Sequence, residues 1–341
     1  MSDDTALRIG IVGLGRLGKR HALNLAQRVP GASLVAVCSP DSAELAWAQA
    51  AVPDAKAYTD YAALLAHPSL DAVWLVTPTT LHAAQIIQGL DAGKHVFCEK
   101  PLSLDVGDCL RVEEKAAQCP DQKVLIGYVR RFDASYQDAF AKIGDGLIGR
   151  PFLVRSQTAD QHDPSGFFVK FAPSSGGIFL DMNVHDIDLA RWYLGAPAIK
   201  RVFAAGTIAF HEGLRACGDV DNGLSICEFE GGNLAYFYAS RMLPHGHETL
   251  TEVVGTKGRL TIGQNPRVNR VEIADASGIR NECAPTFWER FEGAFVREAQ
   301  EFVRIVRDDA APPLTLRDAT EATRIGRMLA DAYRTGTAVT A

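Results

Sequence analysis

Asp181, His185 and Asp188 recur at i, i+4 and i+7, which at 3.6 residues per turn stands two carboxylates and an imidazole in one helical row. Leu180, Val184 and Ile187 flank the row on one side, Met182 and Leu189 on the other. An ordinary surface helix has a broad polar face instead. A narrow polar row between apolar flanks fits a buried helix that turns its carboxylate and imidazole toward a cavity, where histidine exchanges protons near neutral pH. An ordinary local Asp–His pair is the alternative. Lys100 is the second candidate: it leaves the apolar run His95–Cys98 directly and is followed by Pro101. Lysine is rarely buried without a partner, and Glu99 is the neighbouring carboxylate.

The element carrying the acid–imidazole row is expected as one helix within the stretch 174–194. Ser174, Ser175, Gly176 and Gly177 supply the turn before it, and Gly195 with Pro197 stops it. At the other end of the chain, a short apolar strand, Leu7–Val12, runs into Gly13-Leu14-Gly15-Arg16-Leu17-Gly18 and then into a helical stretch from Lys19 to Gln27. Such a G-x-G-x-x-G between strand and helix is a dinucleotide-binding turn. Its first glycine permits the turn, its second admits a pyrophosphate, and its third lets the helix pack closely.

A second strand, Ser33–Cys38, ends where an acidic residue would bind the adenosine 2′-hydroxyl of NAD, but Ser39 stands there and Asp41 follows two residues later. No basic residue follows at once to neutralise a 2′-phosphate. NAD is therefore the expected cofactor and NADP the alternative, with Arg16 the residue that would favour it. Strands at Ala72–Val76, His95–Cys98 and Lys123–Gly127 alternate with helices at Ser42–Ala51, Leu81–Ala92 and Val106–Ala117, the rhythm of a doubly wound parallel sheet. Loops at the carboxyl ends of such strands form the ligand crevice, which places Thr77, Pro78, Glu99 and Lys100 there. His82 and His95 are expected to be structural.

After Asp133 strands dominate: Phe152–Gln157, Arg201–Thr207, Gly223–Phe229, Asn233–Ser240, Leu250–Val254 and Arg259–Ile262. An open, mainly antiparallel sheet carrying the acid–imidazole helix follows, so the fold class is α/β, a Rossmann domain at 1–128 with an α+β domain at 129–341. Leu234, Tyr236 and Tyr238 alternate with Ala235, Phe237 and Ala239, leaving neither strand face plainly polar. Helices cover one face, and a second subunit is expected on the other.

With 341 residues the chain exceeds a single core, and 47% hydrophobic with 22% charged residues is ordinary for a folded protein. A net charge of −6 gives no reason to expect nucleic acid. Met1–Thr5 is short and acidic, no apolar run is long enough to span a bilayer, and the 7 cysteines form no C-x-x-C pair. A cytoplasmic protein with reduced thiols is expected. His245 and His247 lack the spacing and further ligands that zinc needs, so no metal is assigned.

Segments spread along the chain resemble the glucose-fructose oxidoreductase and inositol dehydrogenase family: Gly13–Gly18 with His21 and Ala22; Thr77-Pro78-Thr79 with His82, then 92–101 ending in Glu99-Lys100-Pro101; and Ser175–Phe179 with Asp181, Met182, His185 and Asp186. The last of these, together with Tyr128–Asp133, is most similar to the inositol dehydrogenase branch. The resemblance implies an NAD-dependent oxidoreductase acting on a secondary alcohol of a cyclitol or sugar, with Lys100, Asp181 and His185 as the catalytic set and Arg130 on the substrate. It also implies a dimer or tetramer built through the C-terminal sheet. The chain departs from the branch at Ser39 and between Arg155 and Ser175, where a longer segment brings Asp160 and His162 as candidate sugar contacts or as solvated loop side chains.

Overall fold

The computed structural model describes residues 6–264 and 267–341; the acidic stretch Met1–Thr5 lies outside them. The chain divides into two compact units, Met1–Val129 with Gly293–Thr320, and Arg130–Glu292 with Glu321–Ala341. The expected single boundary after residue 128 is thus only half of the division, because a late segment returns to the first unit.

The first unit is built from β1 (Leu7–Val12), α1 (Arg16–Gln27), β2 (Ala32–Cys38), α2 (Ser42–Ala51), β3 (Lys56–Tyr58), α3 (Tyr61–Leu65), β4 (Ala72–Leu75), α4 (Thr79–Asp91), β5 (His95–Glu99), α5 (Val106–Ala117) and β6 (Val124–Gly127). Its six strands run parallel in the order β3-β2-β1-β4-β5-β6. β4 and β6 are buried at every position, which is why they read as unbroken apolar runs rather than alternating ones. The strand order reverses between β1 and β4, so the loops leaving those two strands meet at the ligand-binding edge: Val76 N–H donates to the Val12 carbonyl at 2.8 Å.

A 3₁₀ turn at Val129–Phe132 carries the chain into the second unit, whose first helix is α6 (Ala134–Gly144). That unit continues with β7 (Pro151–Gln161), α7 (Phe167–Ser175), α8 (Ile178–Asp181), α9 (Asn183–Tyr193), β8 (Ile199–Thr207), β9 (Asn222–Phe229), β10 (Leu234–Leu243), β11 (Glu248–Gly255) and β12 (Gly258–Ile262). A small hairpin, β13 (Ile273–Asp275) and β14 (Gly278–Arg280), precedes α10 (Phe287–Arg307), α11 (Leu316–Thr335) and β15 (Val339–Thr340). The seven-stranded sheet has the order β12-β11-β7-β10-β9-β8-β15 and is antiparallel except where β7 pairs with β10.

Two expectations change here. The segment 158–161, beyond the expected strand end, continues β7, where its Thr158 and Ala159 pair with β10 and β11. The helix expected within 174–194 is broken. The entry turn is where it was expected, Gly176 and Gly177 both taking positive φ, 83° and 80°, between α7 and α8, but Met182 then interrupts the path between Asp181 and Asn183. In β10, Ala235, Phe237 and Ala239 face inward, while Leu234 and Tyr236 stand exposed on the outer face.

α10 starts in the second unit and ends in the first. There Phe302 meets the stacked Trp74 and Phe97 rings edge-on, at 5.6 and 6.1 Å, and Phe295 meets His21 edge-on at 5.4 Å. Thr320 in α11 bonds Glu113 of α5. Among the described residues no helix is long and apolar enough to cross a membrane, and the cysteines are free.

Candidate active site

In the first unit the glycines of the G-x-G-x-x-G turn have different tasks. A Cβ on Gly13, whose φ is +90°, would stand 2.5 Å from the Val76 carbonyl oxygen, and one on Gly18 would stand 1.9 Å from the Gly13 carbonyl oxygen. Both are required by the chain's own packing. A Cβ on Gly15 would meet nothing nearer than Glu44 Oε1 at 3.9 Å, so here the protein leaves open space. Gly15 is also the N-cap of α1, with no side-chain cap and no acidic residue in the first turn. A helix N-terminus without a side-chain cap beside a clear approach fits a dinucleotide pyrophosphate. Leu14 faces the core, Leu17 is half-buried and Arg16 is exposed, so Leu14 can meet a ligand only through its backbone.

Around this turn, Thr77 and Pro78 lead into α4, whose N-cap is Pro78, again without a side-chain cap. His82 is buried between two loops, with Nδ1 2.8 Å from the Pro101 carbonyl and Nε2 2.9 Å from the Thr77 carbonyl. Burial holds its ring below the usual imidazole range. Its structural role ties the Thr77 and Lys100 loops together, and the Lys100–Pro101 peptide is cis. Glu99 lies 2.9 Å from His21 Nε2 and accepts the Lys100 backbone N–H at 3.1 Å. Lys100 is half-buried at the end of β5. Glu298 of α10 completes a buried group with His21 and Glu99. Burial, and then the charge of Glu99, push its carboxyl well above the ordinary range.

In the second unit α9 packs on β7 and β10. Asp186 fixes it there: this buried carboxylate accepts from Arg130 Nη1 at 3.0 Å, Ser156 Oγ at 2.6 Å, Thr158 Oγ1 at 2.8 Å and Asn183 Nδ2 at 3.2 Å. Arg130, expected on the substrate, is only 3% exposed and is held by this network, so its visible task is to anchor the helix. Asp188, the third member of the row, is likewise buried and forms a two-point ion pair with Arg131 at 2.8 and 2.6 Å. What remains is Asp181 at the end of α8 and His185 in the first turn of α9. From Ile178 to Arg191 every other residue is buried, and these two alone reach the surface.

Arg241 escaped the sequence analysis. Fully buried near the end of β10, it places Nη2 3.3 Å from Asp181 Oδ2 and Nη1 2.9 Å from Asp219 Oδ2, over the Phe168 ring at 5.3 Å. Asp219 in turn accepts the Ile178 N–H at 2.9 Å, fixing the start of α8. The only signal was a charged residue inside a strand that, Ser240 apart, is apolar and aromatic from Tyr236 to Leu243. Asp160 is on β7 rather than a loop, its Oδ1 2.8 Å from Nδ1 of the buried His247. His162 stacks with His211 and meets Phe210 edge-on at 4.1 Å. Neither is a solvated loop side chain.

Comparison with known proteins agrees with this geometry. Residues 7–128 match the model of the oxidoreductase family with an NAD-binding Rossmann fold, and residues 136–261 the GFO/IDH/MocA C-terminal domain. The chain is 38% identical over 330 residues to a scyllo-inositol 2-dehydrogenase (NAD(+)) of Bacillus subtilis, covering 97% of this chain and 95% of the other. It superposes on the scyllo-inositol dehydrogenase of Lactobacillus casei, crystallised with bound cofactor NAD(H) and scyllo-inositol, with a TM-score of 0.94 at 38% identity over 98% and 99% of the two chains. A myo-inositol 2-dehydrogenase from Lactobacillus plantarum gives 0.95 at 34% identity over 98% and 99%. The turn that admits a dinucleotide, the acid–imidazole pair and both domain matches agree: the chain belongs to the GFO/IDH/MocA family of NAD-binding oxidoreductases, in its inositol dehydrogenase branch.

Proposed function

We propose that the chain oxidises a ring hydroxyl of scyllo- or myo-inositol to the keto-inositol, with NAD as hydride acceptor. The observation that carries the assignment of residues is that Asp181 and His185 alone break the burial of Ile178–Arg191. His185 takes the hydroxyl proton. Asp181, oriented by Arg241, holds the imidazole or accepts from a neighbouring hydroxyl, and the Lys100 ammonium stabilises negative charge developing on the reacting oxygen. Nicotinamide, when bound, supplies the hydride acceptor. Gly13–Gly18 and the N-terminus of α1 take the pyrophosphate, and Thr77, Pro78 and Glu99 line the same edge of the sheet. Asp160 and His162 sit beside buried histidines, a polar wall suited to a polyol.

A homo-oligomer, dimer or tetramer, is part of the same reading. Phe203, Ile226 and Tyr236 are direct neighbours across β8, β9 and β10 on the outer face, 43%, 53% and 38% exposed, and Leu224 and Leu234 extend this apolar surface. A second copy would cover it, which light scattering with an Ile226→Asp variant would test. Free cysteines agree with work in the cytoplasm.

The deciding experiment is a panel of inositol isomers and aldoses, each assayed with NAD and NADP. Reduction of NAD by scyllo- or myo-inositol is expected. Turnover confined to aldoses, or to NADP, would replace this reading with that of a sugar dehydrogenase, and no turnover on any polyol or sugar would replace it with a nucleotide-binding sensor.

A further inference from the structure

β2 ends at Cys38, and the next residue, Ser39, is 1% exposed. Its hydroxyl donates to Glu44 Oε2 at 2.6 Å and accepts the Asp41 backbone N–H at 3.1 Å. Asp41, the acidic residue nearest the strand end in sequence, is engaged elsewhere: its Oδ1 accepts the Ala43 N–H at 2.8 Å and caps α2. The turn through Pro40 therefore brings back a carboxylate from the first turn of α2, not from β2. Of its two oxygens, one is tied to Ser39 and the other, Oε1, is the atom nearest the open side of Gly15.

A carboxylate is an acceptor only, and beside a pyrophosphate turn it suits the vicinal hydroxyls of a ribose and opposes a phosphate ester, which brings nearly two further negative charges. We propose that Glu44, oriented by Ser39, accepts from the 2′-hydroxyl of the adenosine ribose and sets the preference for NAD over NADP. The chain thus replaces an acid at the strand end by a serine–glutamate relay from the next helix. The inference rests on the dinucleotide assignment of Gly13–Gly18, and it is independent of which polyol is oxidised.

The test is fluorescence titration of the purified protein with NADH and with NADPH, without polyol, for the wild type, Glu44→Gln, Ser39→Ala and Arg16→Gln, with thermal midpoints measured in the absence of cofactor. In Glu44→Gln, NADH should bind about tenfold more weakly, as expected for loss of a charge-assisted hydrogen bond, while NADPH binds more tightly. Ser39→Ala, which frees Glu44 without removing its charge, should weaken NADH by less and leave NADPH rejected. A Kd ratio unchanged by Glu44→Gln overturns the proposal. So does a ratio that responds to Arg16→Gln alone, which would give selectivity to the first turn of α1. If Glu44→Gln does not fold, Ser39→Ala decides: undiminished NADH affinity then counts against the relay. Failure of NADH to bind the wild type would instead remove the dinucleotide assignment, and failure to oxidise inositol would leave this result standing.

Discussion

Asp181 and Asp219 share one buried cation, Arg241, whose guanidinium nitrogens lie 3.3 Å and 2.9 Å from the two carboxylates. The arrangement joins the candidate catalytic acid to the start of α8, because Asp219 also receives the Ile178 N–H. Removing a buried cation leaves its partners uncompensated, at a cost of about 3–5 kcal/mol, so Arg241→Met should unfold at clearly lower temperature and Arg241→Lys should recover part of the loss. The two charges also act oppositely on His185. Without the cation the imidazolium is favoured, and the acid limb of the pH–rate profile should move to higher pH. In Asp181→Asn the lost negative charge should move it to lower pH. Shifts of the same sign in both variants would separate Asp181 from His185.

If His185 is the base, oxidation slows as pH falls and the imidazole takes up a proton. His185→Ala should lose roughly 10²- to 10⁴-fold in kcat and the acid limb with it. A variant with near-normal kcat and an unchanged profile would end the assignment.

Lys100→Met should abolish oxidation while NADH still binds, since the ammonium is placed on the reacting oxygen. Parallel fluorescence titration and steady-state assays separate the outcomes. Loss of NADH binding together with activity would make Lys100 a cofactor or folding residue.

The three glycines should divide by readout. Gly18→Ala sets a methyl 1.9 Å from a backbone oxygen and Gly13→Ala sets one 2.5 Å from another at positive φ, so both should lower the thermal midpoint even without cofactor. Gly15→Val meets no such obstacle and should cost about 1 kcal/mol at most through a weaker cap, yet bind NADH far less well. Equal destabilisation by all three would contradict the reserved space at Gly15.

Glu298 gives a stability prediction with a definite sign. Its carboxyl is pushed up in the folded protein by burial and by Glu99, so the folded state holds a proton that the unfolded state releases above about pH 4. Its contribution to stability is complete below the unfolded value and is lost as pH rises toward the raised folded value. Glu298→Gln keeps the neutral shape, so its midpoint relative to wild type should climb as pH rises above the unfolded value of about 4. A pH-independent difference would mean that Glu298 is ionised when folded.

Local signals carried much of the fold. β1, α2 and α5 have the bounds expected from apolar runs and caps, and the G-x-G-x-x-G turn stands between strand and helix as its glycines imply. β3 and α3 were missed because a three-residue edge strand and a five-residue helix are shorter than any periodicity that could announce them. The Gly176–Gly177 pair was legible as a turn, but the break at Met182 was not, since nothing in its side chain forbids a helix. At the site, Asp181 and His185 were visible through their spacing, whereas Asp188, in the same row, and Arg130, assigned through the family resemblance, form buried ion pairs that anchor the helix. Arg241 and Glu44 act through contacts with residues 60 and five positions away, in the first case through helix-on-sheet packing of α8 on β10 that no local pattern encodes.

The return of Gly293–Thr320 to the first unit has a consequence for how the protein is made. A ribosome emitting this chain delivers all six parallel strands early, yet the Trp74–Phe97 stack and His21 wait for Phe302 and Phe295, which are translated after the whole second sheet except β15. Until then the nascent nucleotide-binding unit carries an uncovered aromatic seam. A fragment ending near Val129 should therefore be recovered as aggregates or in chaperone-bound form, and supplying residues 287–320 as a separate peptide should restore its solubility.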